Sequence, residues 1–143
     1  MTAPPAALPF ELTFRGGEWR GRWAEEKVRI AVGGAETAPA GALVATLHDV
    51  VTRWAEVKQT IAAYTRGLAP DHHVPLDRAH HGGFAARSCG FDGDHVFESI
   101  AVTHDDAPRR VVATFYTGYP DGYATFAVVL DDGTPTSISA FAS

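Results

Sequence analysis

The sequence predicts an α+β domain in which an antiparallel, mostly meander sheet of about six strands packs on one long amphipathic helix, in the order β-β-α-β-β-β-β. Three observations carry this. Apolar residues alternate with polar ones near the start of the chain. Between positions 43 and 64 they recur every three or four residues. Beyond position 95 stretches rich in β-branched and aromatic residues are separated by turn signatures. Residues 1–9, with three prolines, read as a flexible arm, and residues 10–143 as one domain.

The first strand is announced by Phe10, Leu12 and Phe14, interleaved with Glu11, Thr13 and Arg15. Gly16 and Gly17 supply the turn. The chain returns through EWRGRWAEEKVRIAV, where Val28, Ile30 and Val32 share a face. Trp19, Gly21 and Trp23 share one too if the strand reaches back that far. GGAETAPAG then breaks the pattern. Leu43, Leu47, Val50, Val51, Trp54, Val57, Ile61 and Tyr64 form one apolar stripe, with Asp49, Arg53, Glu56 and Gln59 between them. This predicts a single helix of about 25 residues, about 37 Å long at 1.5 Å per residue, closed by Gly67 as C-cap. Four strands follow: HVFESIAVTH, RVVATFYTG, YATFAVVL and TSISAFA, divided by the turns DDAPR, YPDG and DDGTP.

One helix covers one face of a sheet, so the second face is left to water or to a partner. In the first of those four strands alternation assigns Val96, Glu98, Ile100 and Val102 to the core and Phe97 to the outer face. Phe97, Tyr116 and Tyr123 then make an aromatic patch on the open side, a predicted contact surface. Glu98 is the local contradiction, since an unpaired carboxylate is costly in a core. A bulge or a register shift that turns it outward is the favoured account. The acidic turns Asp105-Asp106 and Asp131-Asp132 are placed to steer a basic partner.

Composition narrows the function classes. The chain has 143 residues, 45% hydrophobic and 20% charged, with a formal net charge of −5. Excess negative charge argues against nucleic acid and against an anionic membrane surface. Trp19 and Trp23 with Arg15, Arg20 and Arg22 form a basic-aromatic hairpin of the kind that stacks on single-stranded nucleic acid. The overall acidity and the adjacent Glu25 and Glu26 favour a structural hairpin instead. No stretch approaches the roughly 20 apolar residues of a membrane span, and the N-terminus lacks the basic and apolar regions of a signal peptide. One cysteine, Cys89, cannot form an internal disulfide, so the expected compartment is the cytoplasm.

Residues 71–95 hold five of the seven histidines, the cysteine and four aspartates. Adjacent histidines point apart on regular structure, and neither HExxH nor CxxC occurs. A solvated polar loop is the expectation. If the loop folds back, His73, Asp77, His81 and His95 are the candidate ligands for zinc or another divalent metal, in a metal-binding or hydrolytic domain. Cys89 with a histidine base is the corresponding nucleophile arrangement, but no motif supports it and GxSxG is absent. No catalytic residue and no cofactor is assigned, and the balance is against an enzyme.

FRGGEWRGRWAEEKVRIAV, LHDVVTRWAEVKQTIAAY, FDGDHVFESIAV and YATFAVVLDDGTPTSISAF together resemble the layout of small bacterial single-domain families of unknown function. Some of these are similar to toxin-immunity proteins. The resemblance implies a small acidic protein-binding domain of immunity or inhibitor type, with no catalytic residues to transfer. The expected function is therefore non-enzymatic binding, to a protein partner or to a second copy, through the uncovered sheet face.

Overall fold

The computed structural model describes residues 8–67, 96–119 and 122–141, with side chains described at 8–67, 96–116 and 125–139. Seven strands form one sheet: β1 (Thr13–Arg15), β2 (Glu18–Trp23), β3 (Val28–Val32), β6 (Val96–Val102), β7 (Arg110–Tyr119), β8 (Gly122–Asp131) and β9 (Thr134–Phe141). The spatial order is β1-β2-β3-β6-β7-β8-β9. β4 (Gly34–Ala35) and β5 (Ala38–Pro39) make a separate two-stranded ribbon. Two helices, α1 (Gly41–Thr52) and α2 (Trp54–Arg66), complete the described elements.

This corrects the expected fold in three respects. First, the sheet is mixed. β3 and β6 run parallel, with Arg29 opposite Ser99 and Val32 opposite Val102. A parallel pair needs a long crossover, and the helical segment lies within the connection between these two strands. Second, EWRGRWAEEKVRIAV is two strands and not one. The chain turns at residues 24–27, where Lys27 takes φ 56° and its N–H donates to the Ala24 carbonyl. Third, the long helix is broken at Arg53, whose backbone (φ −105°, ψ 23°) leaves the helical well. Val50, Val51 and Thr52 run into that point, and consecutive β-branched side chains crowd the preceding turn. The resulting helices have 12 and 13 residues. Gly67 does cap α2, but at φ −78°, so its left-handed freedom is not used.

Both helices pack on the same sheet face. α1 lies over β3 and β6, and α2 reaches β9. Leu43, Leu47, Val50, Trp54 and Ile61 are buried against Val28, Ile30, Val32, Ile100, Val102, Ala113, Phe115, Phe126, Val128, Leu130 and Ile138. The segment 8–12 covers the β2 end of this face. Leu8, Phe10 and Leu12 pack on the core there, and Gly21 permits the approach. A Cβ on Gly21 would sit 2.6 Å from the Glu11 carbonyl oxygen. Trp19 and Trp23 share that face, opposite Val32 and Val28. Trp19 donates its indole N–H to the Ala35 carbonyl at 2.8 Å, which ties the small ribbon to β2.

Candidate functional site

The strand register fixes what the other face presents. Directly paired residues lie on the same side of a sheet, so rows can be read across it. One row runs Arg22, Arg29, Ser99, Thr114, Ala127, Ser139. The next runs Thr13, Arg20, Ala31, Ala101, Val112, Val129, Ser137. No element among the described residues packs on these rows. Towards β6–β9 they consist of small side chains, and Ser99 and Thr114 hydrogen-bond hydroxyl to hydroxyl. Towards β1–β3 they carry Arg20, Arg22 and Arg29, with Arg15 at the end of β1. Arg20 is held by Glu18 at 3.0 Å. Arg15, Arg22 and Arg29 make no ion pair among the described residues.

Arg22 stands directly opposite Arg29. Like charges facing each other across strands destabilise a sheet, so this pair opposes folding. Beside it β3 and β6 separate. Their pairing starts only at Arg29 and Ser99, and before that point the β6 chain holds a bulge. Phe97 pairs with Phe115 and Ser99 with Thr114, so Glu98 is the extra residue. The result is a notch of about 390 Å³ at the end of the sheet, with Arg22, Arg29, Lys58, Trp54, Phe97 and Glu98 among its walls.

The bulge decides the fate of the residues expected to bind. It brings Phe97 onto the helix-covered face, with ring centroids 5.0 Å from Trp54 and 5.5 Å from Phe115. Phe97 is therefore part of the core margin and not of an open aromatic patch. Val96 takes the opposite outcome and is 45% exposed although alternation assigns it to the core. Tyr116 lies on the open face, opposite Val96 and Thr125, half-buried. Tyr123 pairs with Gly118 in the backbone ladder, and its side chain is outside the described residues. Asp105 and Asp106 are exposed in the turn between β6 and β7. His73, Asp77, His81 and His95, with Cys89, also lie outside the described residues. Among those described, no three His, Cys, Asp or Glu side chains group as a metal set.

The other acidic turn is neutralised by its own neighbours. Asp131 accepts from Arg110 at 2.8 Å and Asp132 from Arg109 at 2.8 Å. The Arg110 hydrogen bond holds the Asp131 carboxyl below its ordinary value, with a further contribution from the Thr136 hydroxyl at 3.1 Å. Near this turn lies a second concavity, a groove of about 450 Å³ between the helices and the ends of β7 and β8. Its floor is Val50, Val57, Val111 and Leu130, and its rim charges are paired: Arg53 with Asp49 and Glu56, Arg109 with Asp132.

Arg15, Arg20 and Arg22 stand out in the sequence as a basic-aromatic hairpin read as structural, but nothing there joins Arg29 to them. Only the register, with β2 and β3 as separate strands, shows Arg22 and Arg29 to be neighbours. The signal was the alternation in EWRGRW and KVRIAV, which places arginine at every second position opposite tryptophan and aliphatic residues. Compared with known proteins, the chain matches no family model, no curated protein and no solved structure.

Proposed function

We propose that this is a non-enzymatic protein-binding domain of the cytoplasm, and that its partner docks on the uncovered sheet face through an acidic surface. The observation that carries this reading is the charge of that face. The chain has a net charge of −5, yet this side gathers Arg15, Arg20, Arg22 and Arg29 beside a flat area of small residues. A flat, weakly polar centre with a charged margin is the usual composition of a protein contact, and guanidinium groups are favoured there. Complementary potential supports association rate and choice of partner. Of the two acidic turns, the one at Asp131 and Asp132 is paired with its own arginines, which weakens it as an attractor for a basic partner. This is the binding role that the immunity-type resemblance implies.

Capture from host lysate with two variants tests it. Arg15→Glu/Arg20→Glu reverses charge on the face, and Val112→Glu places a carboxylate at its centre. A stoichiometric partner retained by the wild type, lost with both variants and kept with Asp105→Lys/Asp106→Lys supports the reading. A partner lost only with the Asp105/Asp106 variant contradicts it. So does a wild-type chain that sediments as a dimer through this same face.

A further inference from the structure

The notch between β3 and β6 has features that the flat face does not need. We infer that it is a binding site for an organic anion, with a phosphate or carboxylate on Arg22 and Arg29 and a planar apolar body against Phe97 and Val96, behind which Trp54 is buried. Its volume of about 390 Å³ falls within the range of small-ligand sites. Four cations line it, Arg22, Lys27, Arg29 and Lys58, against the two carboxylates Glu26 and Glu98. In a chain with an excess of acid this is a local inversion of charge.

Three of those cations, Arg22, Lys27 and Arg29, form no ion pair among the described residues. Glu26 is engaged by Lys58 at 3.4 Å, and neither Arg22 nor Arg29 pairs with a carboxylate among the described residues. Glu98 lines the same notch and forms no ion pair there, so the arginines are left facing each other. Two adjacent guanidinium groups offer several parallel N–H donors, which suits the oxygens of a phosphate or carboxylate. An anion between them would convert a repulsive pair into an attractive one. The apolar wall is equally specific. Trp54 meets Phe97 edge to face, and the Lys58 ammonium lies 5.9 Å from the Trp54 ring centroid. Exposed Val96 continues that wall at the rim. The bulge at Glu98 lies where the pairing of β6 with β3 begins, and bulges recur beside functional sites. The groove near Arg53 and Arg109 lacks this property, because its rim charges already satisfy one another.

The site stands on the notch alone and does not require the face to dock a protein. The same chemistry arises from a free small molecule or from an acidic residue beside an aromatic one on a protein surface. Calorimetric titration of the full chain at low ionic strength separates these sources. The probes are phenyl phosphate and an acetylated, amidated peptide carrying adjacent Asp and Phe, with inorganic phosphate as the reference for charge alone. The expected result is saturable one-to-one binding of at least one of the two probes, tighter than inorganic phosphate. Arg22→Gln/Arg29→Gln should weaken it at least tenfold with no fall in melting temperature. Arg109→Gln, at a residue that lines the other groove and lies outside both the notch and the arginine face, should leave it unchanged. Preference for phenyl phosphate assigns a free anion, and preference for the peptide assigns a protein-borne one. Absence of binding by both probes, or binding that the Arg22/Arg29 variant retains, overturns the assignment.

Discussion

The two faces of the sheet are made by alternate residues of the same strands, and they follow opposite rules. On the covered face Ile100, Phe115, Phe126 and Val128 are fully buried and chosen for volume. On the other face their immediate neighbours are Ala101, Thr114, Ala127 and Val129, small and similar in size from strand to strand. Filling volume is what a core needs; it is not what this second face does. Its distinctive residues are arginines placed where they repel each other, an arrangement that packing does not explain. Where a face gives up stability, a reason outside folding is expected.

That contrast can be broken from either side. The largest effect is expected on the covered face: Phe126→Ala should cost about 3–5 kcal/mol through lost contacts and a cavity. Ala101→Ser on the open face should stay within about 0.5 kcal/mol, both read by denaturant unfolding. Next comes the bulge. Phe97→Ala, which empties the place opposite Phe115, should cost about 3 kcal/mol. Deleting Glu98, the extra residue, keeps Phe97 opposite Phe115 on the covered face and should cost less. Glu98→Gln keeps the residue count and should be neutral within about 0.5 kcal/mol.

Smaller and opposite in sign is Arg22→Gln/Arg29→Gln. Removing a facing like-charge pair should stabilise the fold by about 0.2–1 kcal/mol at low salt. The gain should shrink near 1 M salt, where screening acts within about 3 Å. A loss of stability would mean that the pair is structural. The smallest effect is expected at the neutralised turn. The Arg110 hydrogen bond depresses the Asp131 carboxyl, so its contribution is present above the ordinary carboxylate value and is lost as pH falls through the lowered one. Asp131→Asn should therefore melt below the wild type at pH 7, and the two should converge as pH falls through the lowered Asp131 value. Both partners are about one third exposed, so solvent screening keeps the difference modest.

The strand and helix positions were legible in part, where local signals sufficed, while the architecture was not. β7, β8 and β9 follow their β-branched runs, and Gly133 takes φ 82° in the turn that Asp-Gly announces. The apolar stripe of the helices was also legible, since Leu43, Leu47, Val50, Trp54 and Ile61 are all buried. Relations between distant segments were not. The parallel pairing of β3 with β6 has no signature within either strand. Helix periodicity persists across Arg53, so the stripe concealed the break. Glu98 did signal its bulge, as a carboxylate among apolar alternates, but the consequence for Phe97 and Val96 depends on where pairing resumes. The arginine face follows from that same long-range register.

The claim on which the rest depends is that one face of the sheet is core and that no described element packs on the other. Thiol labelling tests it directly. In a Cys89→Ser background, Ala101→Cys and Ile100→Cys place single thiols on adjacent residues of β6, on opposite faces, and a small maleimide reports their access in the native state. The account predicts rapid labelling at Ala101→Cys and labelling at Ile100→Cys that waits on unfolding. Equal protection at both positions would show that the second face is also buried, and the arginine rows would lose their place as a docking surface.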